Sequence, residues 1–316
     1  MKKLIVSTSP HVHTKATTGG IMRDVLIALS PAVIASGILF GMKAILMIAI
    51  CVASAVLSEY IFNIATKKTQ TINDLSAAVT GVILALTLPL TTALWQCVIG
   101  SVIAIVVVKC LFGGIGCNFA NPAVTARIFL IFSFAEIGGG AATRFAEEAD
   151  LITSATPLEV MQTGRPLSLI PNIQDLLLGN RSGAIGETCV IAIIIGFVYL
   201  VARRVIRWEV PTIFVATVFL MTLAIEGDIM IATYHVLTGG LLFGAVFMAT
   251  DYVTTPITVK GKMLFALGCG IITTIIRLYG DYPEGVSFAI LLMNIFSPYL
   301  EKLTAPKPLG GKKNEG

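Results

Sequence analysis

Three hydroxyl groups and one carboxylate stand close together in the stretch Asp150-Leu151-Ile152-Thr153-Ser154-Ala155-Thr156-Pro157. Ser and Thr before Pro are common at helix starts, where the side-chain oxygen caps backbone N–H groups and Pro suits the first turn. That structural interpretation requires no function. The stretch falls, however, in the largest polar loop between two apolar blocks of the chain. We therefore also treat its side chains as candidate functional groups.

A second polar stretch interrupts an apolar region at Phe112-Gly113-Gly114-Ile115-Gly116-Cys117-Asn118-Phe119-Ala120-Asn121-Pro122-Ala123. Its three glycines allow a sharp turn or a close approach of backbone. Asn118 and Asn121 place amide donors and acceptors at membrane depth, where an unpaired polar group is costly. Such amides suit the edge of a flat heteroaromatic ring with alternating carbonyl and nitrogen groups. Alternatively, both only cap the interrupted helix.

The composition is that of a membrane protein. Hydrophobic residues make up 56% of the 316 residues and charged residues 13%, with a mean hydropathy of +0.89. A soluble domain carries roughly 25% charged residues. Runs of about 20 apolar residues, enough to cross a bilayer as a helix, recur along the chain. The sequence therefore predicts an all-α polytopic membrane protein.

Several classes of site lack sequence support. The six cysteines show no CxxC or CxxxC spacing, so we expect no metal or iron–sulfur site made by this chain alone. No P-loop and no GxGxxG motif opening a βαβ unit occurs, which argues against ATP-driven and Rossmann-type functions. We predict no nucleic-acid partner.

Apolar runs and helix breakers predict about ten transmembrane helices in two inverted five-helix repeats. The predicted segments are residues 24–41, 44–62, 75–90, 92–111, 122–137, 184–204, 210–226, 231–250, 263–279 and 284–300. The predicted regions are an N-terminal arm (1–23), a first repeat (24–137), a loop (138–183), a second repeat (184–300) and a C-terminal tail (301–316).

Basic residues predict the orientation. Alternating the loops places sixteen of the 22 Lys and Arg residues on one side, which the positive-inside rule makes cytoplasmic. Both termini are then cytoplasmic, and residues 138–183 lie outside.

The evidence for a repeat is weak sequence similarity between the two blocks. Thr80-Gly81-Val82 resembles Thr238-Gly239-Gly240, and Asn121-Pro122-Ala123 resembles Tyr282-Pro283-Glu284. Five helices per block invert the second copy, and inverted repeats place sites between discontinuous helices. The third and eighth segments are short, which fits either half-helices or ordinary short spans.

Ionisable residues inside the segments have two interpretations. Glu59, Lys109, Glu187 and Arg277 stand near predicted helix ends, where we expect their side chains to reach the membrane surface. Arg127 stands deeper and suggests a partner, either a phosphate or a buried acid.

Three motifs together resemble the RnfD/NqrB family over nearly the whole chain. The first is Ser9-Pro10-His11 followed by Met22-Arg23-Asp24-Val25 and Ala28-Leu29-Ser30-Pro31-Ala32; the others are 112–123 and 150–156. The chain lacks the long N-terminal extension of the Nqr subunit, which favours the RnfD branch. Ser154 stands where the family usually has Gly.

The resemblance implies a membrane subunit of the Rnf ion-translocating ferredoxin:NAD oxidoreductase complex, in the cell inner membrane. In that family the last Thr of the loop motif, here Thr156, carries FMN through a phosphoester made by a flavin transferase. The matching motif residues here are Asp150, Thr153, Ser154 and Ala155. A non-covalent riboflavin is linked to the asparagines that match Asn118 and Asn121.

The implied partners are membrane lipid, the flavin transferase and the other members of the complex, RnfA, RnfB, RnfC, RnfE and RnfG. The implied activity passes electrons across the membrane, coupled to Na⁺ or H⁺ transport, with the flavins supplying redox chemistry that side chains lack. Three alternatives stay open: an NqrB-type subunit of a Na⁺-pumping NADH:quinone oxidoreductase, an inverted-repeat transporter without a redox role, and a passive assembly scaffold.

Overall fold

A computed structural model describes residues 17–134, 137, 156–163, 170–280 and 284–306. These residues form helices, turns and loops, without any strand, so the predicted all-α fold is confirmed. Asp150, Thr153, Ser154 and Ala155 lie outside the described residues. The helices are α1 (Thr18–Phe40), α2 (Met42–Ala65), α3 (Ser76–Leu86), α4 (Leu94–Cys110), α5 (Pro122–Ser133), α6 (Pro157–Gln162), α7 (Ile173–Leu178), α8 (Val190–Ala202), α9 (Glu209–Glu226), α10 (Ile229–Leu237), α11 (Leu241–Met248), α12 (Val259–Tyr279) and α13 (Val286–Thr304).

Each of the ten predicted segments contains a described helix or helix pair. Five helices, α1, α2, α9, α12 and α13, are long and apolar enough to cross a membrane, which confirms the polytopic fold. α1 begins at Thr18 rather than at the predicted residue 24. The Thr17 side chain caps it by accepting from the Gly20 N–H at 3.2 Å, so Gly19-Gly20 continues the helix instead of preceding it.

The third and eighth segments both depart from a single long helix, as do several other segments of the described chain. α3 has 11 residues, or about 16 Å at 1.5 Å per residue, roughly half of a 30 Å hydrocarbon core. α10 and α11 are bent by 61° at a short break, the geometry of a broken span or of a re-entrant loop. The two Thr-Gly pairs differ locally, because Thr80-Gly81 lies inside α3 whereas Thr238-Gly239 forms the break.

The two blocks meet through corresponding helices. The first helices of the blocks, α1 and α8, pack together, and so do the fifth, α5 and α13. A Cβ on Gly196 of α8 would collide with the Ala28 carbonyl oxygen of α1, so this approach requires glycine. At one end of the same contact, Asp24 accepts from the Tyr199 hydroxyl at 3.1 Å and pairs with Arg203 at 3.2 Å.

Each block also contains a π-helix that ends in a loop. The last eight residues of α4, Ile103–Cys110, and the last five of α11, Gly244–Met248, are π-helical. π-helices are rare and often mark functional sites. The loops that follow, 111–121 and 249–258, both contribute to one cavity.

Candidate functional site

Thr156 is the N-cap of the short helix α6. Its Oγ1 accepts a hydrogen bond from the Glu159 N–H at 3.2 Å, and Pro157 occupies the first turn. The prediction that a helix starts in the stretch 150–157 is therefore confirmed, with Thr156 as its N-cap. Capping uses one lone pair of the hydroxyl oxygen and leaves its proton and second lone pair available, so this geometry also accommodates a phosphoester at the same oxygen.

α6 rests on the break between α10 and α11. Pro157, Leu158 and Val160 are buried, and a Cβ on Gly239 would lie 3.6 Å from the Leu158 side chain. At the other end of α6, the Gln162 side-chain amide donates to the Gly280 carbonyl oxygen. The helix that begins at Thr156 is thereby fixed to the bundle by apolar burial and a polar contact.

A buried cluster of charges surrounds this break. Arg127 pairs with Glu187 at 2.9 Å and also contacts Glu284. A second oxygen of Glu284 accepts from the Gly240 N–H at 2.6 Å, at the start of α11. The partners of Arg127 are thus the buried Glu187 and the partly exposed Glu284, so a buried acid, the second of the two predicted alternatives, is confirmed.

Two further arginines donate hydrogen bonds to backbone carbonyl oxygens at the C-terminal end of α10. Arg277 donates to the His235 and Thr238 carbonyl oxygens, and Arg181 donates to that of Leu237 at 2.6 Å. Burial lowers the pKa of Arg181 to about 10, which leaves it charged at neutral pH. Cations at a helix C-terminus and a carboxylate at the next N-terminus match the helix dipoles.

The prediction that four ionisable side chains reach the membrane surface is wrong. Glu187 and Arg277 are only 3% and 2% exposed and belong to the cluster at the break. Glu59 and Lys109 form a separate buried pair at 2.9 Å. Lys109 also donates to the Ser76 hydroxyl at 2.6 Å. Glu59, Lys109 and Glu187 are retained inside because an oppositely charged partner from a distant segment neutralises each of them, whereas Arg277 donates to backbone carbonyl oxygens.

Asn118 and Asn121 both line one cavity, and their hydrogen bonding differs. The Asn121 side chain caps α5 by accepting from the Ala123 and Val124 N–H groups at 3.0 and 3.3 Å. Its amide also donates to the Met248 carbonyl oxygen at 3.4 Å. Asn118 Oδ1 is buried and has no hydrogen-bond partner among the described residues. Of these two side-chain oxygens, that of Asn118 is therefore the one without a partner among the described residues.

The cavity encloses about 810 Å³, including the solvent at its mouth. Val79, Ile83 and Phe247 contribute apolar walls, while the Asn118 oxygen supplies an unsatisfied polar group. The lining also includes Lys109 and Asp251. Apolar walls with a few placed polar groups are what a flat heteroaromatic ring such as a flavin requires, and these residues would suit one.

Sequence reasoning missed the second loop of the cavity. Asp251 and Tyr252 line it from the loop after the second π-helix. Asn294, with its amide oriented to match its neighbours, joins the loops by donating to the Thr254 carbonyl oxygen at 3.2 Å and accepting from the Asn121 N–H at 3.1 Å. The signal was a Thr-Thr-Pro sequence, at 254–256, that parallels Asn-Pro at 121–122.

Comparison with protein families decides the classification. The family described as NQR2, RnfD, RnfE matches residues 5–310. This chain belongs to that family. The resemblance inferred from the three motifs is confirmed.

Similar proteins cover almost the full chain. The D subunit of the Na(+)-translocating ferredoxin:NAD(+) oxidoreductase complex of Acetobacterium woodii is 44% identical over 98% of this chain and 96% of its own length. The proton-translocating counterpart from Clostridium ljungdahlii is 38% identical over the same shares. The D subunit of the ion-translocating oxidoreductase complex of Halorhodospira halophila is 33% identical over 95% of this chain and 94% of its own length.

Proposed function

We propose that this chain is the RnfD subunit of an ion-translocating ferredoxin:NAD⁺ oxidoreductase complex and carries electrons through the membrane. The supporting observation is family membership along residues 5–310, with relatives of that kind covered nearly end to end. A subunit of a complex requires partners, and we propose the other Rnf subunits, RnfA, RnfB, RnfC, RnfE and RnfG. In this proposal the chain lies in the cell inner membrane, and both of its termini are cytoplasmic.

We further propose that Thr156 carries FMN as a phosphoester, attached by a flavin transferase. The support is the hydroxyl at the N-cap of α6, whose position is fixed because Leu158 and Val160 are buried. A bound flavin would supply one- and two-electron chemistry. The chain's own contribution is attachment and position: α6 holds the hydroxyl on the break between α10 and α11.

Intact mass tests the attachment. Thr156→Val keeps the size of the side chain but removes the oxygen, so the wild type should exceed its sequence mass by one FMN less one water and the variant should not. In-gel flavin fluorescence should also disappear in Thr156→Val. Thr163, at the other end of α6, is the matched control, since its hydroxyl donates within the helix at 2.7 Å. Unchanged flavin in Thr156→Val would assign the attachment to another hydroxyl, such as Thr153 or Ser154.

The cavity lined by Asn118 is our proposed site for a non-covalent riboflavin. The unpartnered Asn118 oxygen, with no hydrogen bond from the described residues, supports it, and the Asn121 amide contributes by fixing the two loops that form the walls. A transporter without a redox role is the competing function, and it leaves both flavins unexplained. Purified protein without any flavin would favour that alternative.

Orientation is tested by labelling with a membrane-impermeant thiol reagent. The excess of basic residues on one side predicts that Glu147→Cys is labelled in intact cells and Lys67→Cys is not. Both are made after replacing the six native cysteines. The reverse pattern would place the FMN loop in the cytoplasm.

A further inference from the structure

A second cavity lies beside the one that contains Asn118. It encloses about 550 Å³, including the solvent at its mouth, and shares Val205, Thr250 and Tyr252 with its neighbour. The Tyr252 hydroxyl donates to the Val205 carbonyl oxygen, which ties this common wall together. The second cavity differs from the first in charge, because Arg204, Arg207 and Lys262 line it.

The protein around them neutralises these cations only in part. Arg207 lies 3.8 Å from Glu209. Within the described part of the chain, neither Arg204 nor Lys262 has a carboxylate oxygen within 4.0 Å. Three cations and one carboxylate leave an excess of positive charge at one cavity, where like charges repel unless an anion is present.

Two helix N-termini meet at the same cavity. Val210 and Lys262 line it from the first turns of α9 and α12. The Thr258 hydroxyl caps α12, but Trp208 at the N-cap of α9 makes no side-chain capping hydrogen bond. The positive ends of the two helix dipoles favour an anion there, and among the described residues Glu209 in the first turn of α9 is the one carboxylate that already faces this charge.

We propose that Arg204, Arg207 and Lys262 bind a phosphate group, and that an anionic phospholipid carries it. Guanidinium groups match phosphate oxygens with paired donors. The carrier follows from the surroundings: Trp208, next to Arg207 in the chain, is 58% exposed, and Ile257, just before α12, is 77% exposed. Apolar surface next to a basic cavity fits acyl chains next to a headgroup.

Measuring the lipid that stays bound during purification tests this site. Protein purified in mild detergent is analysed for phospholipid by mass spectrometry and phosphorus content. We compare the wild type with the triple variant Arg204→Gln, Arg207→Gln, Lys262→Gln. The control triple, Lys67→Gln, Lys260→Gln, Lys302→Gln, removes the same charge from exposed positions that do not line the cavity. The wild type and control should retain anionic lipid, and the cavity variant at least about tenfold less, or 1.4 kcal/mol.

A second arm separates a lipid from free phosphate. Delipidated protein is titrated with inorganic phosphate and with vesicles of phosphatidylcholine containing phosphatidylglycerol. Binding of the vesicles' anionic lipid but not of inorganic phosphate supports the lipid; binding of inorganic phosphate alone assigns the site to the free ion and overturns the lipid. Equal lipid retention in all three proteins, or equal loss in both triples, overturns the site itself. Thermal unfolding of each protein shows that the variants are folded.

Discussion

The break between α10 and α11 and the cavity lined by Asn118 differ in which polar groups find partners. At the break, arginines and a carboxylate from other segments pair with the exposed backbone groups, while Arg181 Nε, Arg277 Nε and His235 Nδ1 stay without partners among the described residues. At the cavity, the Asn118 oxygen is buried without a partner among the described residues. Irregular backbone is tolerated in a membrane only where protein or water covers it. The first region is covered by its own chain, and the second leaves a group for a ligand.

The charges at the break also explain where α6 lies. Leu158 covers Gly239, whose neighbours include Arg277 and Glu284. A loop that must present a cofactor gains from a rigid support. The break, whose backbone groups are paired by the chain itself, therefore supports the proposed covalent flavin, while the cavity with the unpartnered Asn118 oxygen is the proposed site of the second flavin.

The largest expected effect concerns Arg127. Arg127→Leu leaves the buried Glu187 and the partly exposed Glu284 without their cation, and breaking a buried pair costs about 3–5 kcal/mol. We expect a much lower unfolding temperature in detergent. The comparison is Arg203→Leu, which removes the exposed partner of Asp24 at 3.2 Å and should cost about 0–1 kcal/mol. Equal stability of the two variants would show that the cluster at the break is not structural.

The helices could be predicted from the sequence because apolar run length is a local property. The same holds for the start of α6, where Thr156-Pro157 specifies a cap and a first turn. The partners of the charged residues are not local. Arg127 contacts Glu187 and Glu284 at separations of 60 and 157 residues, so a pattern along the chain shows charges near helix ends but not what neutralises them.

The candidate cavity could be predicted only in part, because the contacts that form it also join residues far apart in the sequence. Asn118 and Asn121 stand out in a glycine-rich loop, but spacing alone gives them equal roles. Tertiary contacts distinguish them, because the Asn121 amide donates a hydrogen bond to the Met248 carbonyl oxygen, 127 residues away. Asp251 and Tyr252 come from the second block, and only the fold brings that loop to the first.

A smaller effect on stability is expected at Asn121. Asn121→Leu removes the cap of α5 and leaves the Met248 carbonyl oxygen without this donor, a loss of about 1–3 kcal/mol. Because the two loops then separate, acid-extractable riboflavin should fall together with folded protein. Thermal unfolding and flavin content are measured on the same sample. Loss of riboflavin from a variant of wild-type stability would instead make Asn121 a direct ligand.

The smallest effect on stability, and the sharpest test of the contrast, is expected at Asn118. Its oxygen has no partner within the described residues, so Asn118→Leu should change the free energy of unfolding by no more than about 0.5 kcal/mol. A ligand that uses this oxygen loses a hydrogen bond of about 1–3 kcal/mol, which weakens its binding roughly 5- to 150-fold. Acid-extractable riboflavin should therefore decrease while covalent FMN at Thr156 stays constant. Phe119→Leu, at an exposed neighbouring position, is the matched control. Full riboflavin content in a stable Asn118→Leu protein would show that the second flavin binds elsewhere. Parallel loss of both flavins would show that Asn118, like Asn121, has a structural role.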